Sequence, residues 1–176
     1  MKDYESFEGV YEDHVDMVYN LCLNYLQNKE EAEEACQDVF LKVHEKWEIF
    51  SGKSSAKTYI YRISINQCLD VIKARKRQKR FGFHIPLFFT NNEENVREFE
   101  LPDFNHPGIQ LEDKEAIFLL FRKINRLPDS QKTALILKTI DGESIQQISE
   151  VMKTSTKAVE SLLSRARANL KAMEAE

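Results

Sequence analysis

ESIQQISEVMKTSTKAVESLLSRARANL, Glu143 to Leu170, decides how this chain folds. Ser144 with Gln147 three residues on is a capping box, so a helix starts there. Ile145, Ile148, Val151 and Met152 keep helical spacing behind it. Lys153-Thr154-Ser155 leaves room only for a sharp corner, after which Ser155 or Thr156 caps a second helix. Val159, Leu163, Ala166 and Leu170 form its buried stripe; Lys157, Glu160, Ser161, Ser164 and Arg165 fall on the other face. Two short helices crossing steeply, the second polar-faced, have the geometry that lays a helix in the DNA major groove. Such pairs also serve as plain packing units.

Upstream, the same periodicity continues. A helix through Ile117, Leu120, Ile124 and Leu127 stops at Pro128, and another runs from Asp129 to Ile140, with Leu135, Leu137 and Ile140 inward and Gly142 as terminator. With the helix-turn-helix, these make a four-helix domain over residues 111–176. At the other end, helix one spans Ser6 to Leu26. Asn28 caps helix two, with Glu31 completing a capping-box arrangement. Ala32, Ala35, Cys36, Val39, Phe40, Val43 and Trp47 form the buried face of helix two, and Glu30, Glu33, Glu34, Gln37 and Asp38 its outer face. Ser54 or Ser55 caps helix three, which turns Tyr59, Ile60, Ile63, Leu69 and Ile72 inward and ends in the basic run Lys73–Arg80. These three helices enclose a first domain, residues 1–80. The fold class is therefore all-α, two small helical domains.

Residues 81–110 break the pattern. Gly82, Pro86, Pro102, Pro107 and Gly108 punctuate a polar linker. Its aromatic cluster, Phe81, Phe83, Phe88 and Phe89, either packs on a domain or docks on a partner.

The net charge of −4 conceals segregation: −9 over residues 1–50, +8 over 51–80, −6 over 81–118 and +3 over 119–176. Basic segments inside an acidic protein point to nucleic acid at two places. The N-terminus, Met1 to Glu5, is acidic and lacks an apolar run, so no secretory leader is expected. No apolar stretch approaches the ~20 residues of a membrane helix, so no membrane insertion is expected and the cytoplasm is the expected compartment. Cys22, Cys36 and Cys68 read as buried small hydrophobes rather than a disulfide or metal set. His14, His44, His84 and His106 are scattered without partners at ligand spacing, and phosphate-binding glycine loops and nucleophile elbows are absent. No enzyme, metal or cofactor is expected.

Three segments then carry a family resemblance. AEEACQDVFLKVHEKW (32–47) resembles the helix by which bacterial RNA polymerase sigma factors dock on the polymerase clamp. FSGKSSAKTYIYRISINQCLD (50–70) is similar to the promoter-melting segment of that family, and LPDSQKTALILKTIDGESIQQIS (127–149) with KAVESLLSRARANL (157–170) resembles its carboxy-terminal domain. Two domains and a linker resemble the small extracytoplasmic-function class. The resemblance implies partners (core RNA polymerase, promoter DNA and an anti-sigma factor) and places polymerase docking at Glu34, Gln37 and Asp38. Minus-10 contacts fall to Ser54, Ser55, Lys57, Thr58, Tyr59, Tyr61, Arg62 and Asn66, where hydroxyls and aromatics hold an unpaired strand. Tyr59 and Tyr61 read equally as core aromatics. Lys73, Arg75, Lys76, Arg77, Lys79 and Arg80 would grip duplex backbone. Minus-35 reading falls to Lys157, Glu160, Ser161, Ser164 and Arg165. Here the chain departs from its family: Ala158, Glu160 and Leu162 stand where threonine and two cations are usual. Glu160 either accepts from a cytosine amino group or pairs with Lys157. A stand-alone helix-turn-helix regulator with an N-terminal sensing domain is the rival reading.

Overall fold

A computed structural model describes residues 7–48, 50, 52–81 and 111–174. Seven helices follow in order: α1 Phe7–Leu26, α2 Lys29–Trp47, α3 Ala56–Phe81, α4 Leu111–Ile124, α5 Asp129–Thr139, α6 Ile145–Met152 and α7 Thr156–Ala172. No strand occurs among the described residues. The linker 82–110, with Phe83, Phe88 and Phe89, lies outside them, as does Ser6.

Helices α1, α2 and α3 pack mutually around Val10, Val18, Leu21, Cys22, Val39, Val43, Ile60 and Cys68, all of them buried. Asn28 begins α2 as expected, its side chain accepting from the Glu31 amide at 2.8 Å. The expected capping box is only half formed. The Glu31 carboxylate pairs with Arg75 of α3. Ser55, rather than Ser54, caps α3, its Oγ accepting from the Thr58 amide at 3.1 Å.

The second cluster is built on α5, α6 and α7, with Ile136, Leu137, Ile148, Val159 and Ala166 inside. The capping box at Ser144 forms in both directions, with Gln147 Oε1 accepting from the Ser144 amide at 2.9 Å. Lys153 takes a left-handed φ of 52° at the corner, and Ser155 caps α7. Helix α4 stops at Ile124, before Leu127. Phe121 and Ile124 are buried in it, whereas Leu120 is exposed; α5 ends at Thr139 and leaves Ile140 exposed. A helix buries the face that its neighbours cover, and for α5 those neighbours are α6 and α7.

The two clusters are in contact, α3 against α6 and the end of α1 against α5. Their junction satisfies helix ends. The last four carbonyls of an α-helix have no partner within it. In α1, Leu23 O accepts from the Gln27 amide at 2.9 Å and Asn24 O from Gln27 Nε2 at 2.8 Å. Tyr25 O accepts from Lys132 Nζ of α5 at 3.0 Å, and Leu26 O from the Arg75 guanidinium at 3.2 and 3.3 Å. Reciprocally, Arg62 of α3 donates to Glu150 O near the end of α6 at 2.7 Å. Cations at carboxy-terminal ends also oppose the negative pole of the helix dipole.

Candidate nucleic-acid interface

Three surfaces carry the residues singled out above. On α2, Glu34 and Gln37 are exposed, as an outer face requires. Asp38 is half-buried instead. Its Oδ2 accepts from Gln67 Nε2 at 2.6 Å, and Gln67 Oε1 accepts from Lys42 Nζ. Asp38 is thus a link between α2 and α3 rather than a free carboxylate, because α3 packs closely along that edge. Beside it Leu41 is 62% exposed, a large apolar side chain outside the buried stripe.

The second surface is the start of α3. Thr58 is buried and takes a hydrogen bond from Ser55 Oγ at 2.9 Å, so the two hydroxyls largely satisfy each other. Ser54 is half-buried. Tyr59 is half-buried, its ring 4.8 Å from Phe50, which stacks on Trp47 at 5.2 Å and 14°. Tyr61, not Tyr59, is the core aromatic, at 3% exposure. Its hydroxyl donates to Glu143 Oε1 at 3.2 Å, and Lys57 Nζ meets the same oxygen at 2.5 Å. Asn66 is exposed in a cleft of about 410 Å³, lined also by Arg62, Leu69, Asp129, Met152 and Lys153.

Further along α3, Arg75 is committed to Leu26 O and Glu31, so it is withdrawn from the duplex-gripping set. Lys73 is exposed and 3.5 Å from Asp70; Lys76 and Arg77 are exposed. The side chains of Lys79 and Arg80 lie outside the described residues.

On the third surface, α7 turns Lys157, Glu160, Ser164 and Arg165 to solvent, with Ser161 half-buried and accepting from Arg165 at 2.8 Å. Val159, Leu163 and Ala166 are buried beneath and Leu170 partly so. The helix-turn-helix therefore presents the polar face that the spacing requires.

The charged corner Asp141-Gly142-Glu143 was legible as a turn but not as a partner of α3. Glu143 is 5% exposed, although it lies 86 residues from Lys57. Burial, and then Glu143, push the Asp141 carboxyl up to about 7, while Lys57 opposes the shift. Asp141 Oδ2 is buried without a hydrogen-bond partner. Burial and these two carboxylates push the Tyr61 phenol up as well. Lys132, 3% exposed, is pulled down to about 8 by burial. A burial cost of this kind is tolerated where the charge is hydrogen-bonded, as Lys132 is to Tyr25 O.

Cys22 and Cys68 meet in the first core, their sulfurs 3.6 Å apart. The contact with Cys68 and then burial raise the Cys22 thiol, and burial pushes Cys36 up to about 12. Such thiols are protonated and poorly nucleophilic. No group of three metal-ligating side chains occurs among the described residues. Nor is any described helix long and apolar enough to cross a membrane.

Comparison with known proteins covers both clusters. Residues 10–78 match the Sigma-70 region 2 family and residues 117–170 the Sigma-70, region 4 family. The chain is 26% identical over 175 residues to the ECF RNA polymerase sigma factor SigW of Bacillus subtilis, covering 96% of this chain and 89% of that protein. It is 27% identical over 169 residues to the RNA polymerase sigma-H factor of Pseudomonas aeruginosa, covering 94% and 84%. In fold it resembles the sigma factor RpoE of Bartonella quintana, solved with the anti-sigma factor NepR, with a TM-score of 0.67, 18% identity and 94% of each chain covered. It likewise resembles CnrH, solved with the cytosolic domain of CnrY, with a TM-score of 0.65 and 17% identity over 98% and 89% of the two chains.

Proposed function

The chain belongs to the sigma-70 family of RNA polymerase sigma factors, in its extracytoplasmic-function class, and from that membership we propose how its residues divide the work of directing promoter-specific initiation. Residues 1–80 dock on core polymerase and engage the minus-10 element, residues 81–110 connect, and residues 111–176 read the minus-35 element. The supporting observation is the order of the two family matches, each falling on a cluster whose surface suits its task.

Docking uses the exposed acidic face at Glu34 and Gln37, with Leu41 as an apolar contact beside it. Asp38 contributes through its hold on Gln67. Strand capture uses the start of α3. Lys57 and Arg62 meet phosphates, Tyr59 in its stack on Phe50 offers a ring to an unpaired base, and Asn66 supplies hydrogen bonds to base edges. Ser54 and Ser55 line the approach. Lys73, Lys76 and Arg77 hold duplex backbone without reading sequence. At minus-35, Lys157, Ser164 and Arg165 enter the major groove, with Glu160 as the acceptor among them.

The chain itself performs no chemistry and works in the cytoplasm; polymerase forms the bonds. An anti-sigma factor is the further partner, a reading supported by the complexes in which two proteins of this fold were solved.

Run-off transcription with purified core polymerase tests the reading. The chain should bind core and start transcripts at defined promoters, and Glu34→Lys should weaken core binding. A chain that ignores core yet binds duplex operator tightly alone is a stand-alone regulator. That outcome would overturn the assignment.

A further inference from the structure

We propose that Gln67 is a positioning residue: gripped from α2 by Asp38 and Lys42, it fixes the rotation of α3 that presents Asn66 to the separated strand. The inference rests on the strand-capture reading above and goes beyond it, since Gln67 is itself buried and acts only through its neighbours.

Both ends of the Gln67 amide are held by charged groups. Its Nε2 donates to Asp38 Oδ2 at 2.6 Å, and its Oε1 accepts from Lys42 Nζ. Asp38 and Lys42 stand one turn apart on α2, so their side chains reach α3 as a fork. Turning the amide over would set its NH2 against the ammonium and its carbonyl against the carboxylate, so one orientation alone is favourable. Hydrogen bonds to ionised partners are roughly twice as strong as neutral ones.

Packing alone fixes this rotation weakly. Beside Gln67 the inner face of α3 carries Ser64 and Cys68, both fully buried and both small, which gives neighbouring helices a shallow ridge to grip. Hydrophobic burial has no direction, whereas a hydrogen bond does. Consecutive side chains on a helix point about 100° apart. Gln67 turned to α2 therefore sends Asn66 to the cleft, on the same face as Arg62 one turn before it. At the ~6 Å radius of a helix with its side chains, a slip of about 20° would carry the Asn66 amide about 2 Å. That exceeds what a hydrogen bond to a base edge tolerates. Glu34 of the docking face is one turn from Asp38, so the tie joins the helix that meets polymerase to the helix that holds the strand.

Holoenzyme assembled at saturating chain separates the two tasks. Competition for core polymerase against the fluorescein-labelled parent chain reads core affinity. Permanganate reactivity of thymines, in a promoter at which the parent starts run-off transcripts, reads strand opening. Gln67→Leu keeps the volume and removes both bonds; Asp38 is half-buried and Lys42 exposed, so water solvates what is freed. Core affinity should hold while reactivity falls on the order of tenfold, the factor for losing a hydrogen bond to a charged group. Lys42→Met, an exposed change, loosens the amide from its other end and should lower reactivity about threefold. Added to Gln67→Leu it should cost nothing more, because the amide that it gripped is gone. Parental reactivity in Gln67→Leu would overturn the proposal, as would additive losses in the double variant. A loss of core affinity equal to the loss of opening would also overturn it, since that is a general weakening of the first cluster. Should Gln67→Leu fail to fold, Lys42→Met decides alone, and parental reactivity there refutes the positioning role. The strand-capture reading is tested separately: if Asn66→Ala holoenzyme opens the promoter like the parent, that reading fails. If Asn66→Ala is impaired and Gln67→Leu is not, only the positioning role fails.

Discussion

Replacing Tyr25 with phenylalanine removes one hydroxyl, and the structure locates where its loss is felt. Tyr25 is 1% exposed and donates to Thr133 Oγ1 at 2.7 Å, across the junction between α1 and α5. The Thr133 hydroxyl keeps its own donation to Asp129 O at 2.8 Å, so no buried donor is stranded. The ring stays, and with it the Lys132 ammonium 4.9 Å from its centroid. The loss is then that of one ordinary hydrogen bond, about 1 kcal/mol net. Because both partners sit on different clusters, the cost falls on their association and not on either core. About 1 kcal/mol multiplies the separated population roughly fivefold. Double electron–electron resonance between nitroxides at Lys29→Cys and Lys171→Cys should show that increase, with helix melting barely moved. A lower melting temperature with an unchanged distance distribution would refute the reasoning, since it would mean that the bond stabilises a core and not the junction.

Three further outcomes follow from the same geometry. The Asp141 carboxyl has a folded pKa near 7 against an ordinary 3.8, so its contribution to stability is full below about pH 4 and is lost as pH rises through 7. Asp141→Asn should flatten the fall in melting temperature across that window relative to the parent, and parallel curves would show that the carboxyl titrates normally. Gly142→Ala meets no neighbouring atom within 4 Å but must hold a φ of +70°, so it should cost about 1 kcal/mol of backbone strain, read as a lower urea midpoint. Glu160→Ala should relax the base preference at one position of the minus-35 duplex, a loss of about 1–3 kcal/mol of discrimination; an unchanged preference in anisotropy titrations across base-substituted duplexes would place residue 160 away from the base edges.

Much of the fold is local and was therefore readable. The Ser144 capping box, the Asn28 cap and the apolar stripes of α2 and α7 depend on neighbours three or four residues away, and all appear where the spacing puts them. Readings failed where a distant element chose the face. Tyr59 and Tyr61 are equivalent by pattern, but α6 and its preceding corner cover Tyr61. Arg75 belongs by sequence to a basic run, yet it caps α1 because Leu26 O has no partner in its own helix. Ile140 and Leu120 carry the right spacing and remain exposed. Asp38 looks like an outer-face acid until Gln67 reaches it.

The sequence by itself determined seven helices in their order, the segregation of charge into acidic and basic stretches, and the helix-turn-helix with its polar outer face. Helical periodicity, caps and turns are properties of short stretches, so they survive without knowledge of the rest. Only the tertiary structure decided which of the nucleic-acid candidates are free. Lys57, Tyr61 and Arg62 are held by the second cluster and Arg75 by the end of α1, whereas Lys157, Ser164 and Arg165 face solvent. The reason is physical: a buried carbonyl or carboxylate takes the nearest donor in space, and spatial neighbours such as Lys57 and Glu143 are separated in sequence by 86 residues.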